Sequence, residues 1–256
     1  VDPAIPSLPP EMGRGYILPF PILPMTRFRS IFQPTPMSTV QTNLPIRLDV
    51  FDTEGTKQAE KFLGCLERAH DLAMDLDDLG VDQGHGELVY DFRNGGEADG
   101  WLHALFRYED RQSGHAAESS FGAHVFNTAM TYRDEPQSYS GPPPGLSTRL
   151  FLRLGDRTRR GFAMLIYTAS GPWHPRSSTV LELHDGTGAS VARTSVSIAC
   201  SGSLMIWPHT MFDASILAAA GPEAYVLVRD STCRLFGYHG LMDDAGGFSL
   251  DHMFGF

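Results

Sequence analysis

The sequence predicts a mostly β protein, arranged as an antiparallel β-sandwich or jelly roll. Apolar and polar residues alternate in several segments, which puts one set of side chains on a core and the other toward water. The clearest pair, residues 179–184 and 189–199, flanks the turn sequence Asp-Gly-Thr-Gly and predicts a hairpin. The 26 glycines and 18 prolines also suit many short strands joined by turns.

Residues 1–45 are predicted to form an extended, proline-rich N-terminal arm packed on the outside of the body. Their ten prolines remove too many backbone donors for a helix or a central strand. The residues between the prolines, such as Tyr16, Phe20 and Phe28, are too apolar for a free linker. The arm therefore packs on its own body or reaches toward a second subunit.

The remaining residues, 46–256, are predicted to form a β-rich body that contains one amphipathic helix at about 56–79. Thr56 suits the N-cap of this helix and Gly80 suits its end. Apolar residues recur along it at three- and four-residue steps: Ala59, Phe62, Leu63, Leu66, Ala69, Leu72, Ala73 and Leu76.

A turn pattern, in which an aspartate is followed three or four residues later by a glycine, recurs three times in the sequence. The three copies lie at 52–55, 110–114 and 185–188. Their unequal spacing excludes a solenoid repeat. Two explanations remain. The body consists of two related β units, 85–150 and 155–256, or hairpins simply favour aspartate and glycine in their turns.

Composition limits the classes of partner. The formal net charge of −10 at pH 7 argues against nucleic acid, because attraction to phosphates needs a basic surface. No membrane association is expected, because no uncharged apolar run approaches the ~20 residues of a membrane helix. Three cysteines without CxxC spacing favour a reducing, cytoplasmic compartment. A signal peptide removed before Val1 is also compatible with the sequence.

Histidine is the one enriched reactive residue, with ten copies. The sequence His85-Gly86-Glu87 opens a predicted strand with the HxE spacing of iron sites that use two histidines and one carboxylate. The candidate ligands for a divalent transition metal are His85, Glu87, His103, His124 and His209. No HExxH or cupin spacing supports this site. Hydrogen-bonded or surface histidines are the alternative, and no cofactor is favoured.

Charge is distributed unevenly along the chain. A basic cluster, which is a candidate site for an anion or a partner, contains Arg149, Arg153, Arg157, Arg159 and Arg160. An acidic cluster contains Asp71, Asp75, Asp77, Asp78 and Asp82. Either both are solvated surfaces, or the basic cluster meets the acidic cluster of a second copy in a homo-oligomer.

Trp173 lies in a predicted loop and is the candidate for an exposed aromatic platform that stacks on a sugar. The chain has no GxSxG elbow, no phosphate-binding loop and no dinucleotide fingerprint. The sequence therefore favours a non-catalytic binding or assembly module of the β-sandwich type. A metal-dependent enzyme on a jelly-roll scaffold is the alternative.

Overall fold

The prediction of a mostly β, antiparallel fold is confirmed. The computed structural model describes residues 15–35, 43–67, 69–91, 102–123, 131–132, 135–136, 148–156, 158–168, 174–231 and 233–253. Its strands are β1 (Gly15–Ile22), β2 (Phe28–Pro34), β3 (Asn43–Asp52), β4 (Lys57–Glu67), β5 (Met74–Asp75), β6 (Gly84–Asp91), β7 (Leu102–Asp110), β8 (Ala116–Ala123), β9 (Thr131–Tyr132), β10 (Glu135–Pro136), β11 (Thr148–Arg153), β12 (Arg159–Ile166), β13 (Thr179–His184), β14 (Ser190–Val196), β15 (Ser203–Ile206), β16 (Tyr225–Asp230), β17 (Phe236–Asp243) and β18 (Asp251–His252).

Helices are short wherever the chain is described. A 3₁₀ turn (Leu76–Leu79) follows β5, and the helices α1 (Pro208–Met211) and α2 (Ala214–Ala220) follow β15. Among the described residues no helix is long and apolar enough to cross a membrane.

Sixteen of the strands form four four-stranded sheets, and β9 pairs with β10 in a separate two-stranded sheet. Sheet I has the order β1-β6-β3-β4 and sheet II the order β5-β2-β7-β8. Sheet III has the order β15-β12-β17-β18 and sheet IV the order β11-β16-β13-β14. All strand pairs in these sheets are antiparallel. Sheets I and II therefore come from the first half of the chain, and sheets III and IV come from the second half.

Two apolar cores lie between these sheets. Core 1 joins sheets I and II to one face of sheet III, and core 2 lies between the other face of sheet III and sheet IV. Phe162, Met164 and Ile166 of β12 enter core 1, whereas Ala163 and Leu165 enter core 2. A strand buried on both faces has a continuous apolar sequence, as β12 does. Core 1 contains residues from both halves of the chain. The division of the body into two related units, 85–150 and 155–256, stays a prediction.

The predicted arm is extended, as expected, over strands β1 and β2. These strands are hydrogen-bonded members of sheets I and II rather than an arm packed on the outside of the body. β1 pairs with β6, and β2 lies between β5 and β7. Phe20 and Phe32 are fully buried in core 1. The prolines of β1 are tolerated because it is an edge strand, where a missing N–H can face away from the partner strand. Residues 1–14 and 36–42 of the predicted arm lie outside the described residues.

The predicted helix at about 56–79 is wrong. Most of this segment is the edge strand β4, and only the 3₁₀ turn near its end is helical. A β-bulge leaves Leu63 without a partner in β3 and shifts the alternation of β4. Ala59, Leu63 and Leu66 therefore reach core 1 at four- and three-residue steps, the spacing expected of a helix. Gly64, with a φ of 86°, does not fit a helix interior.

Turns form at all three predicted positions, 52–55, 110–114 and 185–188, and a further turn of the same pattern lies at 243–246. The turns at 52–55, 185–188 and 243–246 all have the sequence Asp-x-x-Gly, and their glycines have φ values of 85°, 87° and 86°. In each turn the glycine amide donates to the aspartate carbonyl oxygen. The aspartate Oδ1 accepts from the amides two and four residues later. Each turn thus positions the two strands that flank it.

Candidate functional site

The outer face of sheet IV brings together charged and aromatic side chains from four strands. Alternation along β13 sends Leu181 and Leu183 into core 2, so Glu182 and His184 lie on the opposite face. Strand register places side chains of β11, β14 and β16 beside them. We define the arginine face as Arg149, Phe151, Arg153, Glu182, His184, Arg193, Tyr225, Leu227 and Arg229.

Positive charge dominates the arginine face. Glu182 is its one carboxylate, and its Oε2 accepts from Nε of Arg229 at 2.7 Å while its Oε1 lies 3.1 Å from Nη2 of Arg193. Arg149 and Arg153 are exposed, and no carboxylate partner is found for them within the described ranges. Four guanidinium groups against one carboxylate leave three uncompensated positive charges on this face. The whole chain, in contrast, carries −10.

The side-chain rings of Phe151, Tyr225 and His184 lie in a row across the arginine face. The Tyr225 ring centroid lies 5.0 Å from that of Phe151 and 5.2 Å from that of His184. His184 is held by its Nδ1, which lies 3.0 Å from the carbonyl oxygen of Gly188 and donates to it. The Tyr225 ring thus lies between the rings of Phe151 and His184.

The structure separates the five arginines of the predicted basic cluster. Arg149 and Arg153 lie on the arginine face, whereas Arg159 and Arg160 begin β12 in sheet III. Arg157 lies outside the described residues. Proximity in sequence therefore does not produce one site here.

Sequence reasoning missed two arginines of the face, Arg193 and Arg229. They are separated from Arg153 by about 40 and 75 residues, and the register of three strand pairs brings them together. The only local signal was their alternation with core residues on β14 and β16.

A cavity of about 500 Å³ lies where β11 ends and β12 begins, next to α1 and α2. Its wall includes Leu154, Arg160, Pro208, His209, Leu217 and Pro222. One predicted anion-binding residue, Arg160, thus shares a cavity with one predicted metal ligand, His209. Burial and the charge of Arg160 lower the pKa of His209, so its imidazole is neutral at pH 7.

His85 and Glu87 point to the same side of sheet I, as the HxE spacing predicts. Nε2 of His85 lies 3.3 Å from Oε1 of Glu87, and both residues are buried. Nδ1 of His85 has no hydrogen-bond partner among the residues that the structure describes. Asp49 lies opposite Glu87 in β3. Its carboxylate is already bound by Arg47 at 2.9 Å and by Lys57 at 3.2 Å. Of these three residues, His85 and Glu87 are therefore the two whose side chains remain available as metal ligands.

The other candidate metal ligands lie elsewhere. His103 is on β7 of sheet II, where its Nδ1 lies 2.8 Å from the hydroxyl of Thr35, and His209 lines the cavity. His124 and the platform candidate Trp173 lie outside the described residues. Across the described ranges, no three or more His, Cys, Asp or Glu side chains are grouped so that they could hold a metal ion.

The acidic cluster is partly neutralised within the chain. Asp75 pairs with Arg29 at 2.6 Å, and Asp77 pairs with Arg111. The remaining carboxylates of the cluster are exposed: Asp71, Asp78 and Asp82.

Acidification from pH 7.5 to about 5 is expected to lower the free energy of unfolding. Burial holds the pKa values of His103, His209 and His239 below 6.5. The unfolded chain, with histidine pKa values near 6.5, then binds protons more readily than the folded chain. The contribution of these three histidines to the free energy of unfolding is therefore fully present above about pH 6.5, and it is lost as the pH falls below that value.

Chemical denaturation at a series of pH values measures this slope. The variant His239→Gln, which removes one of the three groups, should give a shallower slope. A wild-type stability that is flat or rises over the same pH range would contradict the prediction.

No protein-family model matches the chain, and no curated protein matches it in sequence. Among solved structures, the chain is similar to the apo form of a lectin from Pleurotus ostreatus, with 8% identity over 87% of this chain and 74% of the lectin and a TM-score of 0.19. It is also similar to the exo-chitosanase CsxA from Amycolatopsis orientalis, with 11% identity over 84% of this chain and a TM-score of 0.17. The match spans only 24% of the chitosanase chain. At such TM-scores neither likeness carries an argument about fold or function.

Proposed function

We propose that this protein is a non-catalytic binding module whose arginine face binds an anionic macromolecular partner. The observation that supports the proposal is the excess of positive charge on an open sheet surface of an acidic chain. Arginine is suited to such a surface, because its planar guanidinium group binds carboxylates through two parallel hydrogen bonds.

The shape of the face favours a surface or an extended chain as the partner. It is the exposed side of a four-stranded sheet, with Phe151 37% exposed beside the buried Leu227. Small ligands prefer concave sites, whereas interfaces combine an apolar centre with arginines and a polar rim.

The negative charge of the whole chain does not prevent this binding. At physiological salt the Debye length is about 8 Å, so most carboxylates elsewhere on the molecule are screened from a partner at the face. The arginines of the face, in contrast, contact the partner directly. Binding should therefore weaken as salt is added.

Arg153→Glu is expected to weaken binding to immobilised poly-L-glutamate by about tenfold or more, because it reverses an exposed charge at the face. The measurement is biolayer interferometry at about physiological salt. Lys61→Glu, at an exposed position on β4 of sheet I, is the matched control with the same change of net charge. Its effect should stay within about twofold. Equal losses in the two variants would show that net charge, and not the face, determines binding.

A metal-dependent enzyme is the second candidate, and the unpartnered, buried Nδ1 of His85 is the observation that favours it. His85 and Glu87 would be two ligands of a divalent transition metal. Elemental analysis of protein purified without a histidine tag tests this candidate. One transition metal per chain, together with a Tm that falls on chelation and recovers on adding that metal, would make it the better-supported function.

A further inference from the structure

The cavity beside α2 has the size and the wall of a small-molecule site. Its volume of about 500 Å³ lies within the range of roughly 300–1,000 Å³ that ligand pockets occupy. Such pockets combine apolar walls with a few convergent polar groups. Here the apolar part of the wall is formed by Leu154, Pro208, Leu217 and Pro222.

The polar end of the cavity carries one cation that a ligand can reach. Nη2 of Arg160 pairs with Asp244, whose side chain is 86% exposed. An ion pair as exposed as this one contributes little to stability, so an incoming carboxylate can share or replace it. The other guanidinium donors of Arg160 have no partner within the described part of the chain.

The carboxylate of Asp156, which also lines the cavity, is bound by its own turn through Oδ1. It accepts from the amides of Thr158 and Arg159 at 2.8 Å each and from the Thr158 hydroxyl at 2.7 Å. The Arg159 guanidinium neutralises it at 3.1 Å. Asp156 is therefore paired with Arg159 of its own turn, whereas Arg160 pairs with Asp244.

We propose that this cavity binds a small organic carboxylate with an apolar body, its carboxylate on Arg160 and its body against Leu154 and Leu217. A charged ligand fits better than a neutral one, because Arg160 is the cation at the polar end. An apolar body fits better than a polar one, because Leu154, Pro208, Leu217 and Pro222 would leave polar groups of a ligand without partners. This site is separate from the proposed binding of a macromolecule by the arginine face.

The test uses three carboxylates of increasing size, butyrate, octanoate and 4-phenylbutyrate, and the amide of each. Isothermal titration should show saturable binding with one site per chain for at least one acid, and its amide should bind at least about tenfold more weakly. Arg160→Gln should remove the difference between acid and amide. The proposal would be overturned if acid and amide bind with equal affinity, or if none of the three acids shows saturable binding.

A matched pair of variants locates the site. Ala218 and Ala219 are both exposed neighbours on α2, but only Ala218 lines the cavity. Ala218→Trp should fill the cavity and abolish binding of the acid, whereas Ala219→Trp should bind it with unchanged affinity. Retained binding in Ala218→Trp would place the ligand elsewhere and overturn the proposal. Circular dichroism and Tm of both variants establish that they are folded.

Discussion

Leu183→Ala is expected to lower the free energy of unfolding by about 2–5 kcal/mol. Leu183 has no exposed surface and packs in core 2 from the central strand pair of sheet IV. Its truncation removes apolar contacts and leaves a cavity that antiparallel neighbours on both sides cannot fill without moving. Urea denaturation followed by fluorescence measures the change, and the m-value should stay constant if the native fold is kept.

The control for this variant lies on the neighbouring strand. Val191 on β14 is 40% exposed, so Val191→Ala should change the free energy of unfolding by at most about 0.5 kcal/mol. Similar losses in Leu183→Ala and Val191→Ala would show that the register of β13 is not as described. Glu182→Ala is unsuitable as a control, because the Glu182 side chain is only 10% exposed and binds two arginines.

This pair of residues shows what alternation can and cannot predict. Alternation correctly puts Leu183 in the core and Glu182 on the other face, because successive side chains of a strand always point to opposite sides. It also suggests that Glu182 is solvated. The structure corrects that expectation, since Arg193 and Arg229 reach over Glu182 from the neighbouring strands. Burial on an outer face depends on neighbours that the local sequence does not specify.

The hairpins were the most predictable part of the fold. The predicted hairpin at 179–199 is present as β13 and β14, with its turn at 185–188. Local chemistry determines such a unit: the alternation of two segments and a turn with a capping aspartate and a glycine at positive φ. The same chemistry recurs at 52–55 and 243–246.

Features that depend on distant pairing were not predictable. The bulge at Leu63 imitates the spacing of a helix, and only the pairing of β4 with β3 shows it to be a strand. The prolines of β1 disfavour a strand until its edge position beside β6 is known. The arginine face has the same origin, because Arg153 and Arg193 share this face only through the pairing of the two strands that lie between them.

Gly55→Ala is expected to cost roughly 3 kcal/mol or more of unfolding free energy, through two separate effects. The first is backbone strain, because Gly55 has a φ of 85°. The second is a collision between the two halves of the chain. A Cβ on Gly55 would overlap the carbonyl oxygen of Cys200, in the loop that leads into sheet III. Next to this contact, the amide of Ser203 donates to the carbonyl oxygen of Thr53 at 3.1 Å.

Gly188→Ala separates these two effects. Gly188 occupies the same position in the same type of turn and has a φ of 87°, but a Cβ there would meet only the Tyr225 hydroxyl, at 3.7 Å. The variant Gly188→Ala should therefore lose only the unfolding free energy that backbone strain costs, about 1 kcal/mol. Urea denaturation of both variants gives the difference, which measures how tightly the turn at 52–55 packs against the loop that contains Cys200. If the two variants lose equal stability, the halves do not meet at this contact, because strain alone would then account for both losses.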